Sequence, residues 1–291
     1  MDRVLVVGAG FMGTGIAQVA AQAGHQVHLM DVEPAIVEKS FGEIRWSLEK
    51  LAAKGAIQES PEQVLGRISP TADLTTASEA DWVIEAIVED EALKGRLFQD
   101  LDRISPLSTL LATNTSSIPI TRLAASTRRP ERVLGLHFFG PVPLMQLVEV
   151  VRGERTSDES FDRGVSFVRS LGKTPLPVLC DIPGFVINRI FSAAFREAVD
   201  LVAQGIVRPE DVDQGMRLGY GWVVGPFEIA DIAGLDVVAG VGRSLRALGA
   251  EDLVPRSDLV EQMVAEGHLG RKSGRGFYRY SAQGKRLPAD A

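Results

Sequence analysis

Residues 4–13 read VLVVGAGFMG, which joins a four-residue apolar strand to the pattern G-x-G-x-x-G. A helix of small residues follows, and then a second apolar strand that ends at Asp31. In this pattern Gly8 permits a tight turn, Gly10 lets the backbone approach a diphosphate, and Gly13 lets the helix pack closely on the strand. The free N–H groups and the dipole at the helix start favour the same anionic group. The stretch therefore predicts an α/β fold, a Rossmann-like doubly wound sheet that binds a dinucleotide.

Asp31 distinguishes between the common dinucleotides. It stands at the distance from the glycines where a carboxylate accepts hydrogen bonds from the adenosine ribose hydroxyls, and it would repel a phosphate on that ribose. We therefore predict NAD, and not its 2′-phosphorylated form, as the cofactor. The alternative is a glycine-rich turn in some other α/β domain. The cofactor-binding residues predicted from this stretch are Gly8, Gly10, Phe11, Met12, Gly13 and Asp31.

The composition is typical of a globular protein with two domains. The chain has 291 residues, is 45% apolar and carries a net charge of −7, which gives no sign of nucleic-acid binding. No apolar run reaches the roughly 18 residues that a membrane span needs, and the first strand starts too early for a signal peptide. The single cysteine, Cys180, cannot form a disulfide within the chain, which fits a reducing compartment. We therefore expect a cytoplasmic protein in which Cys180 is a buried structural residue and not a nucleophile.

The pattern of apolar runs changes at Pro183-Gly184. Before that point strands alternate with helices, which indicates a mostly parallel sheet, and after it strand patterns are scarce. We therefore predict a Rossmann-like NAD-binding domain over residues 1–183 and an all-α carboxy-terminal domain over residues 184–291. The later strands are predicted at 81–86, 110–114, 132–138, 147–151 and 174–179, and helices at 34–54, 185–204, 209–218 and from Pro226 onward.

Three polar residues lie at predicted strand ends, and they are Ser116, His137 and Glu149. In open α/β sheets ligands bind at the carboxyl ends of the strands. His137 lies among apolar residues and Glu149 lies inside an apolar strand, so each needs a buried partner. We predict that they pair, since a carboxylate on one imidazole nitrogen fixes the tautomer and raises the basicity of the ring. His137 would then take a proton from an alcohol while hydride leaves for a nicotinamide. The alternative is a histidine whose hydrogen bonds are made within the core and which has no catalytic role.

Asn188, on the first helix of the second domain, could donate a hydrogen bond to a substrate oxygen.

Short motifs spread over essentially the whole chain carry a family resemblance. They are GAGFMGTGIA (8–17), EAIVE (85–89), NTSS (114–117), GLHFF (135–139), PVPLM (141–145), LVEV (147–150), PGFVINR (183–189), GPFE (225–228), GLD (234–236) and KSGRGFY (272–278). Together these motifs resemble the L-3-hydroxyacyl-CoA dehydrogenase family, which includes bacterial 3-hydroxybutyryl-CoA dehydrogenases. So many matches in one order are highly specific.

The resemblance implies a role for individual residues. It implies that His137 is the catalytic base and Glu149 its carboxylate partner. It also implies that Ser116 contacts both substrate and nicotinamide, and that Asn188 helps to hold the reacting oxygen. The further implied contacts are Asp31, Glu89, Lys94 and Lys272 to NAD, and Ser47 and Lys54 to the CoA portion of the substrate.

The same resemblance implies a homodimer formed through the helical domain, although a buried core would give the same apolar composition. Lys54 is a suitable partner for a phosphate, yet an ordinary surface lysine would look the same in the sequence.

The chain departs from the family pattern in two places. The family usually has Asn after the two phenylalanines, where this chain has Gly140, and Pro-Met before Gly-Pro-Phe, where this chain has Val223-Val224. Loss of the Asn side chain removes an amide beside the predicted base. These changes affect the expected identity of the substrate more than the expected reaction.

We therefore predict an NAD-dependent enzyme that interconverts a 3-hydroxyacyl-CoA and its 3-oxoacyl-CoA, with a short-chain substrate such as 3-hydroxybutyryl-CoA. The alternatives are a hydroxyacyl thioester on a carrier protein, a hydroxy acid, or a non-catalytic NAD-binding protein on the same scaffold. The prediction is of a stand-alone dehydrogenase with no fused hydratase, no metal ion and no nucleic-acid or membrane partner.

Overall fold

The computed structural model of the chain describes residues 1–288 and divides it into two compact units, Met1–Phe185 and Val186 onward. The first unit is built on one eight-stranded sheet, and the second consists mainly of helices. The predicted fold class is therefore confirmed.

The strands of the first unit form one sheet in the order β3-β2-β1-β4-β5-β6-β7-β8. All neighbours are parallel except β6 and β7, which are antiparallel. The strands are β1 (Arg3–Val7), β2 (Gln26–Met30), β3 (Ile68–Thr71), β4 (Trp82–Glu85), β5 (Leu110–Thr113), β6 (Val133–Phe138), β7 (Leu147–Val151) and β8 (Thr174–Val178).

The helices begin where the sequence supplies starting signals. Proline occupies the first helical turn of four of them, and at one of these four starts Ser60 also forms a reciprocal capping pair with Gln63. The helices of the first unit are α1 (Phe11–Gln22), α2 (Pro34–Ala53), α3 (Pro61–Leu65), α4 (Glu91–Ile104), α5 (Ile120–Ala124) and α6 (Asp158–Ser170). Those of the second unit are α7 (Ile187–Ala203), α8 (Pro209–Tyr220), α9 (Pro226–Ala233), α10 (Leu235–Ala247) and α11 (Leu259–Ala265). Short 3-10 segments lie at Leu74–Glu79, Pro130–Arg132, Glu251–Leu253 and Arg271–Ser273.

The central strands are covered on both faces, which explains why they read as continuous apolar runs. Every residue of β4, β5 and β6 is buried. The edge strand β3 reads Ile-Ser-Pro-Thr and was not predicted, because a short strand with one buried residue and a proline has almost no strand signature.

The second unit packs around Phe195, Phe227 and Tyr278, and its described residues include three buried acids, one of which is Asp213. Asp213 on α8 accepts hydrogen bonds from the N–H groups of Phe227 and Glu228, which are free because they lie in the first turn of α9. The carboxylate therefore serves as a cap delivered from a neighbouring helix.

Two expectations about the surface can be compared with the structure. Cys180 is exposed, so the prediction of a buried cysteine was wrong. It is the second residue after β8, where the chain leaves the sheet. None of the helices within residues 1–288 has the length and apolar character needed to cross a bilayer.

Candidate active site

The surroundings of the glycine-rich turn after β1 explain why glycine occupies its positions. Gly8 has φ +105°, and a Cβ placed on it would lie 2.6 Å from the carbonyl oxygen of Ala86. A Cβ on Gly13 would lie 1.7 Å from the carbonyl oxygen of Gly8. A Cβ on Gly10, by contrast, would meet no atom of residues 1–288 within 4 Å. The protein itself therefore needs the outer two glycines for packing, while Gly10 leaves open space in front of the α1 start, where a diphosphate would approach.

Asp31 follows β2 and faces the same turn. Its carboxylate accepts hydrogen bonds from the N–H of Ala9 at 2.9 Å and from the N–H of Glu33 at 3.2 Å. It also borders a cavity of about 500 Å³ with mainly apolar walls. The residues that line this cavity are Asp31, Pro34, Val37, Glu38, Phe41, Pro70, Thr71 and Ala72. An apolar cavity with a carboxylate at its edge fits the adenine and ribose of a dinucleotide.

A buried ion network lies beside the turn, at the end of β4. The ammonium of Lys94 is 2.6 Å from Glu85 Oε1 and 3.2 Å from Glu89 Oε2, and its side chain is only 1% exposed. Glu85 also accepts a hydrogen bond from the Thr113 hydroxyl at 2.7 Å. Asp90 accepts from the N–H of Leu93, which caps α4 and places Lys94 in the helix's first turn. The network therefore joins the ends of β4 and β5 to α4.

Glu89 extends this network to the loop after β5. Its Oε1 accepts hydrogen bonds from the Ser116 N–H at 3.1 Å, the Ser117 N–H at 3.2 Å and the hydroxyls of Thr115 and Ser117. Burial alone would raise the pKa of the Glu89 carboxyl, but Lys94 and these hydroxyl groups outweigh burial and hold the pKa below its ordinary value. Within residues 1–288 these bonds hold the loop, and the Ser116 hydroxyl takes no part in them.

His137 and Glu149 lie directly opposite each other in the antiparallel β6–β7 pair. His137 Nδ1 is 2.6 Å from Glu149 Oε2, the imidazole is 5% exposed and Glu149 is fully buried. The rings of Phe139 and Phe185 pack against the imidazole, with centroids 4.7 Å and 5.6 Å away. The predicted contact is thus present, and it leaves Nε2 as the nitrogen able to exchange a proton with a ligand.

Ser47, a half-buried residue of α2, and Lys54, the exposed residue directly after α2, border a second cavity of about 520 Å³. The cavity lies between α1, α2 and residues 141–144, and Phe11, Trp46 and Leu144 present large exposed apolar surfaces there. The Lys50 ammonium lies 4.9 Å above the centroid of the Trp46 ring. The structure therefore brings the two predicted CoA contacts into one groove.

Two further predicted residues belong to the second unit. Asn188 lies in the first turn of α7, and Lys272 lies in the 3-10 segment Arg271–Ser273. The Lys272 ammonium donates to Asp236 Oδ2 at 2.7 Å, and this bond helps to hold the pKa of Asp236 below its ordinary value. The roles of Asn188 and Lys272 toward a ligand stay predictions.

Sequence reasoning did not single out two residues that position this site. Glu85 anchors Lys94, and Asn114 accepts a hydrogen bond from the N–H of Phe138 at 2.9 Å, next to the imidazole. Both are polar residues that end an apolar strand, which is the signal that could have identified them.

Comparison with known proteins places the chain in a family. Residues 3–182 match the profile described as 3-hydroxyacyl-CoA dehydrogenase, NAD binding domain, and residues 184–280 match the carboxy-terminal domain of the same family. The chain belongs to the 3-hydroxyacyl-CoA dehydrogenase family. It is an NAD-dependent oxidoreductase, as the sequence predicted.

Several relatives within this family are similar over nearly their full length. A probable 3-hydroxybutyryl-CoA dehydrogenase of Deinococcus radiodurans is 46% identical and covers 94% of this chain and 99% of its own. A probable 3-hydroxybutyryl-CoA dehydrogenase of Bacillus subtilis is 43% identical, with coverage of 96% and 98%. The crystal structure of (S)-3-hydroxybutyryl-CoA dehydrogenase PaaH1 from Ralstonia eutropha superposes with a TM-score of 0.91 at 40% identity, covering 97% of this chain and 99% of that one.

Proposed function

We propose that the chain interconverts a short-chain 3-hydroxyacyl-CoA, such as 3-hydroxybutyryl-CoA, and the corresponding 3-oxoacyl-CoA. The relatives from D. radiodurans and B. subtilis support this substrate class by their names. The single observation that carries the proposed chemistry is the 2.6 Å contact between His137 and the fully buried Glu149. Gly140, which follows three residues after His137, contacts the ring of Phe11 in the glycine-rich turn, so base and cofactor region are adjacent.

The two side chains of this pair divide the acid–base chemistry. Glu149 keeps the proton of the neutral imidazole on Nδ1, which leaves the Nε2 lone pair to accept the hydroxyl proton of the substrate. As that O–H bond breaks, the carbon–oxygen double bond forms and the C–H electron pair leaves as hydride; NAD, when bound, supplies the hydride acceptor. The buried carboxylate then stabilises the imidazolium, and in the reverse direction the imidazolium returns the proton to the carbonyl oxygen.

In this proposal the hydroxyl of one residue and the side-chain amide of another orient the reacting oxygen. Glu89 fixes the backbone of Ser116 and leaves its hydroxyl available to a ligand. Asn188 is assigned by family resemblance to the same oxygen. A hydrogen bond that strengthens as charge develops on the oxygen lowers the barrier.

The residues that would hold NAD follow from the turn and the network. The N–H groups at the start of α1 face the open space at Gly10, and the Asp31 carboxylate lies beside the cavity suited to adenosine. Glu89, Lys94 and Lys272 are proposed as further contacts. Because Lys94 is almost completely buried and bound to Glu85 and Glu89, we propose that it acts mainly by fixing Glu89.

The CoA portion is assigned to the groove that contains Ser47 and Lys54. Lys54 is exposed and offers its ammonium to a phosphate. A thioester bound along this groove would bring its acyl end toward residues 140–144 and His137, so that binding energy from the handle positions the reacting carbon.

We also propose that two copies of the chain associate through the helical unit. That unit exposes several large apolar side chains, which a water-soluble surface rarely collects unless they are covered. They are Ile190, Ile206, Leu218, Tyr220, Val223, Ile232 and Val237. Sedimentation of the full chain tests this, and a monomer at micromolar concentration would contradict it.

The function is tested by mixing the protein with NADH and acetoacetyl-CoA and following NADH absorbance. His137→Gln is the active-site variant, and His28→Gln, which changes a histidine inside β2, is the matched control. Rapid loss of NADH with the unsubstituted protein and the control, and not with His137→Gln, is the expected result. Acetoacetyl-carrier protein and free acetoacetate are assayed in parallel.

Each of the remaining outcomes would indicate a different substrate or a protein without catalytic activity. Activity only on the carrier-protein substrate or on the free acid would contradict the CoA proposal. Tight NADH binding with no turnover of any of the three would indicate the non-catalytic alternative.

A further inference from the structure

The segment after His137 docks onto α1 through two reciprocal contacts. A Cβ placed on Gly140 would lie 2.6 Å from Cε1 of Phe11, and a Cβ placed on Gly15 would lie 2.7 Å from Cβ of Val142. In each contact a glycine on one element makes room for a larger side chain on the other. The missing side chain at residue 140 is therefore what gives the Phe11 ring its place.

The Phe11 ring is in contact with Gly140 and yet remains 66% exposed. Its exposed surface borders the groove of about 520 Å³, together with Trp46 and Leu144, which are also largely exposed. Exposed aromatic and aliphatic groups gathered at one concave site usually mark a place that a ligand covers.

The charged residues of the groove indicate which kind of ligand could bind there. Lys50 and Lys54 line it beside the apolar groups, and Glu43 is the one acid among its described lining residues. Apolar walls with two ammonium groups match a ligand that combines a long, mostly uncharged chain with phosphates. The CoA portion of the proposed substrate has that combination.

We propose that Phe11 is a specificity-determining residue whose ring forms part of the wall for the CoA portion, and that Gly140 holds the ring in that position. This inference rests on the proposed CoA substrate. It gives Phe11 two separate tasks, because its backbone N–H belongs to the anion-binding start of α1 while its side chain serves the thioester. It also explains why a glycine stands beside the base, since any larger residue at 140 would displace the ring.

The test is a double-mutant cycle with Phe11→Ala, Gly140→Ala and the double variant. CoA alone is the probe, titrated by calorimetry in the presence of NAD. We expect Phe11→Ala to weaken CoA binding about tenfold, the size expected for loss of one aromatic contact at a binding site. Gly140→Ala should weaken it by a similar factor, because the new Cβ pushes the exposed ring out of the groove without unfolding the protein. The double variant should be no weaker than Phe11→Ala alone.

Two further measurements separate this role from a structural one. We expect Phe11→Ala to raise KM for acetoacetyl-CoA far more than it lowers kcat, and to change NADH affinity less than threefold. Leu107→Ala is the matched control, because Leu107 is also a largely exposed apolar residue and lies outside the groove. It should leave CoA binding, KM and kcat unchanged.

The inference fails if Phe11→Ala binds CoA as the unsubstituted protein does, or if the two single effects simply add. If the unsubstituted protein itself binds no CoA, the proposed substrate class fails together with this role. Normal CoA binding that is insensitive to Phe11 would overturn the role alone.

Discussion

The glycine-rich turn and the His137–Glu149 pair are built by opposite means. The turn is contiguous in the sequence: Gly8 takes a positive φ, Gly13 makes room for the Gly8 carbonyl oxygen, and Gly10 leaves open space. The pair joins residues twelve positions apart, and it exists because β6 and β7 run antiparallel in an otherwise parallel sheet. The turn therefore depends on local backbone geometry, whereas the pair depends on strand register, which a shift of one residue would destroy.

Replacing the imidazole tests the pair most severely. We expect His137→Gln to lower kcat by about 10³-fold, equivalent to about 4 kcal/mol, because no group then accepts the hydroxyl proton. Steady-state kinetics in both directions measure this. NADH affinity should stay within about twofold of the unsubstituted value, since the turn is untouched. An active Gln variant would show that the proton has another acceptor.

Replacing the carboxylate tests whether the pair acts as a unit. We expect Glu149→Gln to lower kcat by about 10²-fold, because the amide keeps the shape but cannot stabilise an imidazolium. The double variant with His137→Gln should be no slower than His137→Gln alone, which is the non-additivity of residues that share one task. Multiplication of the two losses would mean that Glu149 serves a role separate from the histidine.

The turn can be broken in two distinguishable ways. Gly13→Ala should reduce the free energy of unfolding by about 2 kcal/mol, because its Cβ meets the Gly8 carbonyl oxygen. Gly10→Ala should leave thermal stability nearly unchanged, since its Cβ meets no described atom, but should weaken NADH binding about tenfold. Thermal unfolding and NADH fluorescence measure the two effects. Equal losses of stability would contradict the open space at Gly10, and unchanged NADH affinity would contradict its assignment to the diphosphate.

Features that depend on neighbouring residues in the chain could be predicted from the sequence. The turn, Asp31 and the helix α2 follow from local patterns and were predicted from them, whereas Ser47 and Lys54 were predicted from the family resemblance. The pairing of His137 with Glu149 was predicted from the cost of burying either group alone, and the structure adds the register that brings them into contact.

Other features depend on contacts that no local pattern encodes. The near-complete burial of Lys94 results from Glu85 and Glu89, which approach it only when β4 and α4 pack together. The Phe11–Gly140 contact joins residues 129 positions apart and appears only when residues 140–144 dock on α1. At these places the residue types can be read from the sequence but their spatial neighbours cannot, and the same holds for the exposed Cys180.

Glu89 lies between the two regions, since β4, which precedes it, pairs with both β1 and β5. Its pKa is held below the ordinary value, so its charged form contributes stability that is present above about pH 4.3 and is lost as the pH falls through the lowered value. We expect Glu89→Gln to reduce the free energy of unfolding by less than about 1 kcal/mol at pH 7, because the carboxylate is 38% exposed and its interactions are screened. Thermal unfolding of both proteins at pH 7 and pH 3.5 should show this difference shrinking in acid. If the two proteins differed in stability by the same amount at pH 7 and pH 3.5, Glu89 would hold the Ser116 loop through packing and neutral hydrogen bonds and not through its charge. The loop would then depend on local geometry, as the glycine-rich turn does, and not on a charged group, as the His137–Glu149 pair does.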